Sequence, residues 1–200
     1  MGHKFADIAF TPAVRDVQEK LGSRKAYARA DEGPDHHHLL GEAEAGFIAA
    51  RDSFYLASMG ESGWPYIQHR GGPAGFLKVL DERTIGFPDF RGNRQYVSLG
   101  NLAGNDRVAL FLMDYPRRAR LKLLGRARAV GRDEDRELIQ RLVVPDYKAT
   151  VERGFIIAVE AFDWNCSQHI VQRFTVDDVS AAVAPLHKRI AELEEQLRSR

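Results

Sequence analysis

The sequence predicts a mainly β fold with flanking helices, an α+β protein whose antiparallel strands form a closed or partly open barrel. Two observations support this prediction. About seven segments have the composition and alternation of strands, and most of them are joined by short turns, which favours antiparallel pairing. Helical patterns stand at the ends of the chain and between these segments. The 200 residues are 44% hydrophobic and 28% charged, which is enough for one substantial core.

The predicted strands follow from their apolar patterns and from the turns between them. The turn Gly60-Glu61-Ser62-Gly63 separates the first two strands, and Asp81-Glu82-Arg83 separates the third from the fourth. The segment 107–113 is strongly apolar, whereas 120–130 alternates between leucine and basic residues, as a half-exposed strand does. The seven predicted strands are 54–59, 64–70, 76–80, 84–87, 107–113, 120–130 and 155–162.

Helices are predicted where the period changes to 3.6 residues. Thr11 and Pro12 provide an N-cap and a first-turn proline, and Gly22 ends the helix that follows them. Three more helices are expected over residues 42–52, 93–102 and 132–142.

The C-terminal tail has a different character from the rest of the chain. Its apolar residues step by three and four along a heptad seam formed by Val183, Leu186, Ile190, Leu193 and Leu197. A helix of this length is too short to be a convincing free coiled coil, so we expect its stripe to pack on its own or a partner's barrel. The predicted domains are therefore 1–178, the barrel with N-terminal helices, and 179–200, an amphipathic helix.

Composition excludes several classes of function. Lys and Arg total 29 against 28 Asp and Glu, a net charge of +1, which argues against nucleic-acid binding by bulk electrostatics. No apolar run reaches the length of a membrane span, and the first ten residues lack the core of a signal peptide. The single cysteine, Cys166, excludes an internal disulfide and fits a reducing compartment. We therefore expect a cytoplasmic protein with neither a nucleic-acid nor a membrane partner.

Polar and basic side chains concentrate between residues 64 and 125, at strand ends and at the start of a predicted helix. Asn93 is expected to cap this helix, so that the N–H groups of Arg94 and Gln95 face outward at the positive end of the helix dipole. A phosphate group fits such a place, and Arg70 and Arg94 could add bidentate contacts. The pattern alone still favours the plainer interpretation, a solvated surface.

Six stretches of this region together resemble a known family, the pyridoxamine 5′-phosphate oxidase-like proteins that bind FMN in a split β-barrel. The likeness is greatest to the bacterial oxidase-related subgroup with a Gln-His-Arg-Gly-Gly signature, and it covers residues 49–130 well. It implies FMN as the cofactor and a homodimer with the flavin between two subunits. The stretches are PYIQHRGGP (65–73), FLKVLDERT (76–84), GFPDFRGNRQY (86–96), GNL (100–102), NDRVALFL (105–112) and RLKLLGRA (120–127).

The resemblance also implies where individual side chains would meet FMN. Arg70, Lys78 and the triplet Asn93-Arg94-Gln95 match the places that hold the phosphate and the ribityl chain, and Gln95 replaces a lysine of the oxidase. Asp89 is expected to face the ring edge or solvent. Arg120 falls where the family contributes a residue from the neighbouring subunit. The complete predicted cofactor-binding set is Gln68, His69, Arg70, Lys78, Asp89, Asn93, Arg94, Gln95, Arg120, Lys122, Gln168 and His169.

The activity that the resemblance implies is an FMN-dependent oxidoreductase acting on an unidentified small molecule, with a nicotinamide as the candidate electron donor. The substrate motifs of the oxidase proper are not legible after Val130, so pyridoxal phosphate formation is not expected. No residue stands out as an obligatory acid or base, so no catalytic side chain is predicted. The alternative is a flavin carrier, store or sensor without turnover, and a third interpretation is an interaction barrel with a vestigial site.

Two histidine patterns bear on metal binding, and neither predicts a metal site. Cys166 and His169 have Cys-x-x-His spacing, but no second pair with suitable spacing completes a zinc site, so a buried thiol beside a hydrogen-bonded histidine is expected. The run His36-His37-His38 stands in a segment rich in Asp, Gly and Pro, where a solvated run is expected.

Overall fold

Seven antiparallel strands form one sheet in the computed structural model, which describes residues 3–28, 35–164 and 167–199. The sheet order is β2-β1-β5-β6-β7-β4-β3, so the hairpins β1–β2 and β3–β4 lie at its two edges. The predicted α+β class with antiparallel strands is therefore confirmed. The strands are β1 (Ser53–Met59), β2 (Pro65–Gly71), β3 (Lys78–Asp81), β4 (Thr84–Phe90), β5 (Arg107–Asp114), β6 (Ala119–Gly131) and β7 (Val151–Trp164).

The sheet curls until its two ends meet through side chains. The ring of Phe54 on β1 packs edge-on against that of Phe87 on β4, with 5.1 Å between centroids, although three strands separate β1 from β4 in the sheet. Arg70 on the edge strand β2 likewise forms an ion pair with Asp89 on β4. Since no ladder of backbone hydrogen bonds joins β2 to β3 in the sheet order, the barrel is split. Its interior is filled by buried aromatic rings, Phe54, Phe76, Phe87 and Phe155.

Six of the described helices belong to the same compact unit as the sheet, and a seventh, longer helix belongs to the C-terminal segment. Thr11 Oγ1 accepts a hydrogen bond from the backbone N–H of Val14 at 3.4 Å, which confirms the predicted N-cap. The helices are α1 (Lys4–Ala9), α2 (Pro12–Lys20), α3 (Arg24–Ala28), α4 (Glu42–Ala49), α5 (Val97–Gly104), α6 (Arg136–Leu142) and α7 (Val176–Arg198).

The described part of the chain falls into two compact units. The first holds the barrel and its helices, through residue 113 and again from residue 120 to the end of β7. The second consists of the turn 114–119 together with the described residues from 167 onward. The predicted boundary at residue 178 stays a prediction.

The second unit is held by contacts between the turn and the segment that precedes α7. Gln172 Nε2 donates to the carbonyl of Pro116 at 2.7 Å, and the guanidinium of Arg173 lies 4.9 Å from the ring centre of Tyr115. A reciprocal capping box of Thr175 and Asp178 starts α7. The apolar stripe of this helix is exposed, with Leu186 61% accessible. None of the helices in the described ranges combines the length and apolar character of a membrane span.

Candidate functional site

A small polar pocket of about 50 Å³ lies between β2, the end of β4 and the loop that leads to α5. The curled sheet creates it, because the edge strand β2 is brought next to β4. Five residues of the predicted cofactor-binding set line the pocket: Gln68, Arg70, Asp89, Asn93 and Arg94.

Asp89 lies at the floor of this pocket, in contact with two arginines. Arg70 Nη1 is 2.6 Å from Asp89 Oδ1, and Arg153 Nη1 is 3.0 Å from Asp89 Oδ2. Asp89 is 7% exposed, so the expectation that it faces solvent is wrong, whereas a place at the ring edge stays a prediction. The reason is the register: β4 pairs Asp89 with Arg153 on β7, two residues from the inward-facing Phe87. The buried carboxylate is thus paired with two guanidinium groups, which offset the cost of its burial.

Arg70 combines this ion pair with packing inside the barrel. Its guanidinium carbon lies 5.1 Å from the ring centre of Phe155 and 5.6 Å from that of Phe87. Its Nε is buried and has no hydrogen-bond partner among the described residues. A buried donor without a partner costs free energy, so an acceptor that enters the pocket would relieve this cost.

The loop between β4 and α5 does not have the predicted helical conformation. The helix begins at Val97, four residues later than expected, so the prediction that Asn93 caps it is wrong. Arg94 and Tyr96 have positive φ angles of 61° and 55°, which interrupt a helix. The Asn93 carboxamide instead accepts the N–H of Gln95 at 3.2 Å in a local turn. Arg94 is therefore presented by a turn and not by a helix terminus.

Glu152 connects this loop to β7. Its Oε1 lies 3.0 Å from Arg91 Nε and accepts a hydrogen bond from Tyr96 Oη at 3.3 Å. Arg94 Nε in turn donates to Tyr96 Oη at 3.1 Å. The hydrogen bond from Arg91 lowers the pKa of Glu152, and the bond with Tyr96 raises the pKa of Arg94. Both groups are therefore charged at neutral pH.

The charged side chains that line the pocket cancel, because Arg70 and Arg94 stand against Asp89 and Glu152. Two further guanidinium groups outside the lining, on Arg91 and Arg153, pair with these carboxylates. The wider cluster of six side chains therefore holds two more positive than negative charges. A phosphate monoester carries about −1.5 to −2 at neutral pH, and a positive cluster favours such an anion.

Gln68 is positioned at the pocket by the first turn of α5. Its side-chain oxygen accepts a hydrogen bond from the hydroxyl of Ser98 at 2.8 Å, and Ser98 is 1% exposed. His69 points to the other face of the sheet, where its ring packs edge-on against Tyr55.

Three residues of the predicted set therefore lie on the outer face of the sheet: His69, Arg120 and Lys122. Arg120 packs over the ring of Phe111, and its Nε is buried without a partner among the described residues. Lys122 borders an apolar groove of about 560 Å³. Within one chain the structure does not bring this group to the pocket.

The remaining predicted residues lie elsewhere. Lys78 starts β3 opposite Gly86, and Gln95 lies in the exposed loop before α5. Gln168 and His169 belong to the second unit, where they occupy an exposed turn. Cys166 falls outside the described residues, and so does the expectation of its buried thiol.

The sequence analysis missed Arg153, Glu152 and the role of Tyr96. The last strand was predicted to begin at residue 155, but β7 begins at Val151 and carries Glu152 and Arg153 beside the pocket. The signal available in the sequence was the charged pair directly before an apolar strand. The partners of this pair, Arg91 and Asp89, lie 61 and 64 residues away in the chain, and the local sequence does not identify them.

The fold and the site define an antiparallel split-barrel protein with a small polar pocket between β2, β4 and the loop before α5. A family model described as pyridoxamine 5′-phosphate oxidase matches residues 40–165, more than half of the chain. The chain belongs to the pyridoxamine 5′-phosphate oxidase family, as the sequence resemblance indicated. No curated protein matches the chain.

Solved structures of similar fold share little sequence with this chain. HupZ of Group A Streptococcus is 14% identical, with 68% of this chain and 100% of that chain covered and a TM-score of 0.49. An FMN-binding protein of Syntrophomonas wolfei is 12% identical, covering 77% and 95%, with a TM-score of 0.45. HutZ, a heme storage protein of Vibrio cholerae, is 17% identical, covering 62% and 94%, with a TM-score of 0.41. These likenesses assign no ligand to this chain.

Proposed function

We propose that the protein binds FMN as a homodimer and acts as an oxidoreductase on a small molecule. The observation that supports this function is the positive cluster around the pocket: Arg70 and Arg94 line it, while Arg91 and Arg153 pair with its two carboxylates. Such a cluster favours the FMN phosphate. Arg70 Nε and Arg94 would donate to that phosphate, and Gln68 would face the polar chain that follows it. When bound, FMN supplies hydride and electron transfer, and the protein contributes binding and orientation.

The pocket fits the phosphate end of the cofactor and not the whole of it. About 50 Å³ is far below the roughly 300 Å³ or more of a pocket that encloses a small-molecule ligand. The ring therefore needs a further surface. The outer face of the sheet offers apolar side chains, including Ile67 at 65% and Tyr55 at 42% exposure, together with His69, Arg120 and Lys122. A second copy of the chain would cover this face and complete the site.

The purified protein is therefore expected to be a dimer that holds two flavins. Sedimentation analysis of the coloured protein measures its mass, and absorbance of the released cofactor measures the stoichiometry. Ile67→Asp, which places a charge on the outer face, should shift the protein toward the monomer and release FMN. A monomer that retains FMN with unchanged affinity would contradict the shared site.

The visible spectrum provides the direct test of the cofactor. The protein should show a flavin spectrum, and denaturation should release FMN rather than riboflavin or a deazaflavin. Anaerobic addition of NADH or NADPH should bleach the bound flavin, and an acceptor should restore it. A protein that stays colourless after incubation with FMN would overturn the proposal.

A flavin carrier or sensor is the second candidate, and one observation favours it. Both carboxylates beside the pocket, Asp89 and Glu152, are held in ion pairs with arginines, so neither is poised to move a proton. Tight FMN binding without reduction by either nicotinamide would select this candidate over the oxidoreductase.

The tail helix is expected to add stability without contacting the flavin. Truncation after Asp178 removes nearly all of α7 and its stripe, including Leu186, but leaves every pocket residue in place. The truncated protein should melt at a lower temperature or dimerise more weakly and still bind FMN. Complete loss of flavin from a folded dimer would assign the tail a direct role.

A further inference from the structure

Three histidine side chains from two separate segments meet beside the end of β7. His3 directly precedes α1, whereas His36 and His37 lie in the segment that leads to α4. A parallel bridge joins His3 to His36, and the N–H of Lys4 donates to the carbonyl of His36 at 3.2 Å. The N–H of Phe162 on β7 donates to the carbonyl of His37 at 2.8 Å. Backbone contacts therefore hold the cluster in place.

The three rings are close enough to share one ion. The ring centroids of His3 and His37 are 4.1 Å apart, and those of His3 and His36 are 5.1 Å apart. One nitrogen from each ring lies within 4.8 Å of the others. Tetrahedral zinc with Zn–N bonds of about 2.0–2.1 Å needs separations of roughly 3.4 Å, which small side-chain rotations would supply.

Two of these rings each have a buried nitrogen that makes no hydrogen bond within the described residues. Nδ1 of His3 and Nδ1 of His37 are buried and have no hydrogen-bond partner among the described residues. His37 also packs against Phe162, so it is not part of a solvated run as the sequence suggested.

Asp163 lies just outside hydrogen-bond distance of His3, and a small side-chain shift would let it orient that ring. Its Oδ1 lies 3.6 Å from His3 Nε2, and its Oδ2 pairs with Lys122 Nζ at 2.7 Å. Metal-bound imidazoles commonly direct their second N–H to a carboxylate, which fixes the tautomer. With a proton on Nε2 facing Asp163, the lone pair of His3 lies on Nδ1, the unpartnered nitrogen.

We propose that His3, His36 and His37 form a binding site for one divalent transition metal ion of the zinc class, with Asp163 as a positioning residue for His3. Imidazole ligands suit zinc, copper and nickel, whereas magnesium and calcium take oxygen ligands. Three protein ligands leave a fourth position for water. The ion would connect the segment before α1 and the segment before α4 beside β7.

The test measures Zn²⁺ binding to the untagged full-length protein after metal removal, by competition with a chromophoric chelator. One Zn²⁺ per chain is expected, with no response to Mg²⁺. His36→Ala and His37→Ala should each weaken the affinity more than about a hundredfold, and Asp163→Asn should weaken it about ten- to a hundredfold. His36 is exposed, so its replacement leaves the fold intact. The matched control is His38→Ala, since His38 belongs to the same run but not to the cluster.

Thermal unfolding gives an independent measurement. Saturating Zn²⁺ should raise the melting temperature of the wild-type protein and of His38→Ala, because the ion binds the folded state, and should leave that of His36→Ala unchanged. Equal losses of zinc affinity in His36→Ala and His38→Ala would show adventitious binding by a histidine run and overturn the site. Absence of stoichiometric binding by the wild-type protein would overturn it as well.

Discussion

Replacing Asp89 by asparagine is expected to lower the free energy of unfolding by about 3–5 kcal/mol, the usual cost of removing one partner from a buried ion pair. The carboxylate is 7% exposed and accepts from Arg70 at 2.6 Å and from Arg153 at 3.0 Å. Without it, Arg70 loses its opposing charge and Arg153 keeps only Glu152, at 3.2 Å. Urea unfolding of the metal-free, flavin-free protein measures the loss.

An exposed ion pair on the same sheet supplies the control. Asp106 pairs with Arg126 at 2.9 Å, but both side chains are about half exposed, so Asp106→Asn should cost less than about 1 kcal/mol. Arg153→Met should recover part of the stability of Asp89→Asn, because it removes one of the two guanidinium groups that the carboxylate had held together. If Asp89→Asn costs no more than Asp106→Asn, the pair is not a structural link between β2, β4 and β7.

The same variant separates structure from anion binding. Loss of the Asp89 charge raises the positive surplus around the pocket, so inorganic phosphate should stabilise Asp89→Asn more than it stabilises the wild-type protein. Equal stabilisation of both would place the anion away from Arg70.

The strands could be predicted because each carries its own signal. In β6, the buried Leu121 and Leu123 alternate with the basic Arg120 and Lys122, so the period of two is visible in the sequence. Hairpin turns with glycine or charged residues mark where such runs end. The curl that brings β2 beside β4 depends on contacts such as Phe54 with Phe87, between residues that are far apart in the chain. Local patterns hold no information on these contacts.

The loop before α5 shows why the site was harder to predict than the fold. An asparagine followed by polar residues can cap a helix or close a local turn, because the same side-chain oxygen accepts the N–H in both. In the structure the local turn forms, and the Tyr96 hydroxyl holds the loop by donating a hydrogen bond to Glu152 on β7. That contact spans 56 residues of sequence. The histidine cluster was missed for the same reason: His3 and His37 are far apart in the chain, and their rings meet beside β7, where Phe162 packs against His37.

Removing the guanidinium of Arg94 is expected to weaken FMN binding by roughly ten- to a hundredfold. Arg94 lines the pocket from an exposed turn, and only its Nε is tied to Tyr96. A charge-assisted hydrogen bond to phosphate contributes about 1.5–3 kcal/mol, and 1.4 kcal/mol corresponds to one decade of affinity. Fluorescence titration of the flavin-free protein with FMN measures the loss in Arg94→Ala.

Riboflavin separates the phosphate contact from every other effect of this substitution. It lacks the phosphate, so its weaker binding should hardly differ between Arg94→Ala and the wild-type protein. Arg94→Lys should recover part of the FMN affinity, because an ammonium supplies the charge without the planar pair of donors. Arg128→Ala, which removes an exposed arginine of β6 outside the pocket, should leave both affinities unchanged. Equal losses for FMN and riboflavin would mean that Arg94 supports the loop through Tyr96. Unchanged binding of both FMN and riboflavin would mean that Arg94 does not contact the phosphate and that the loop is not part of its site.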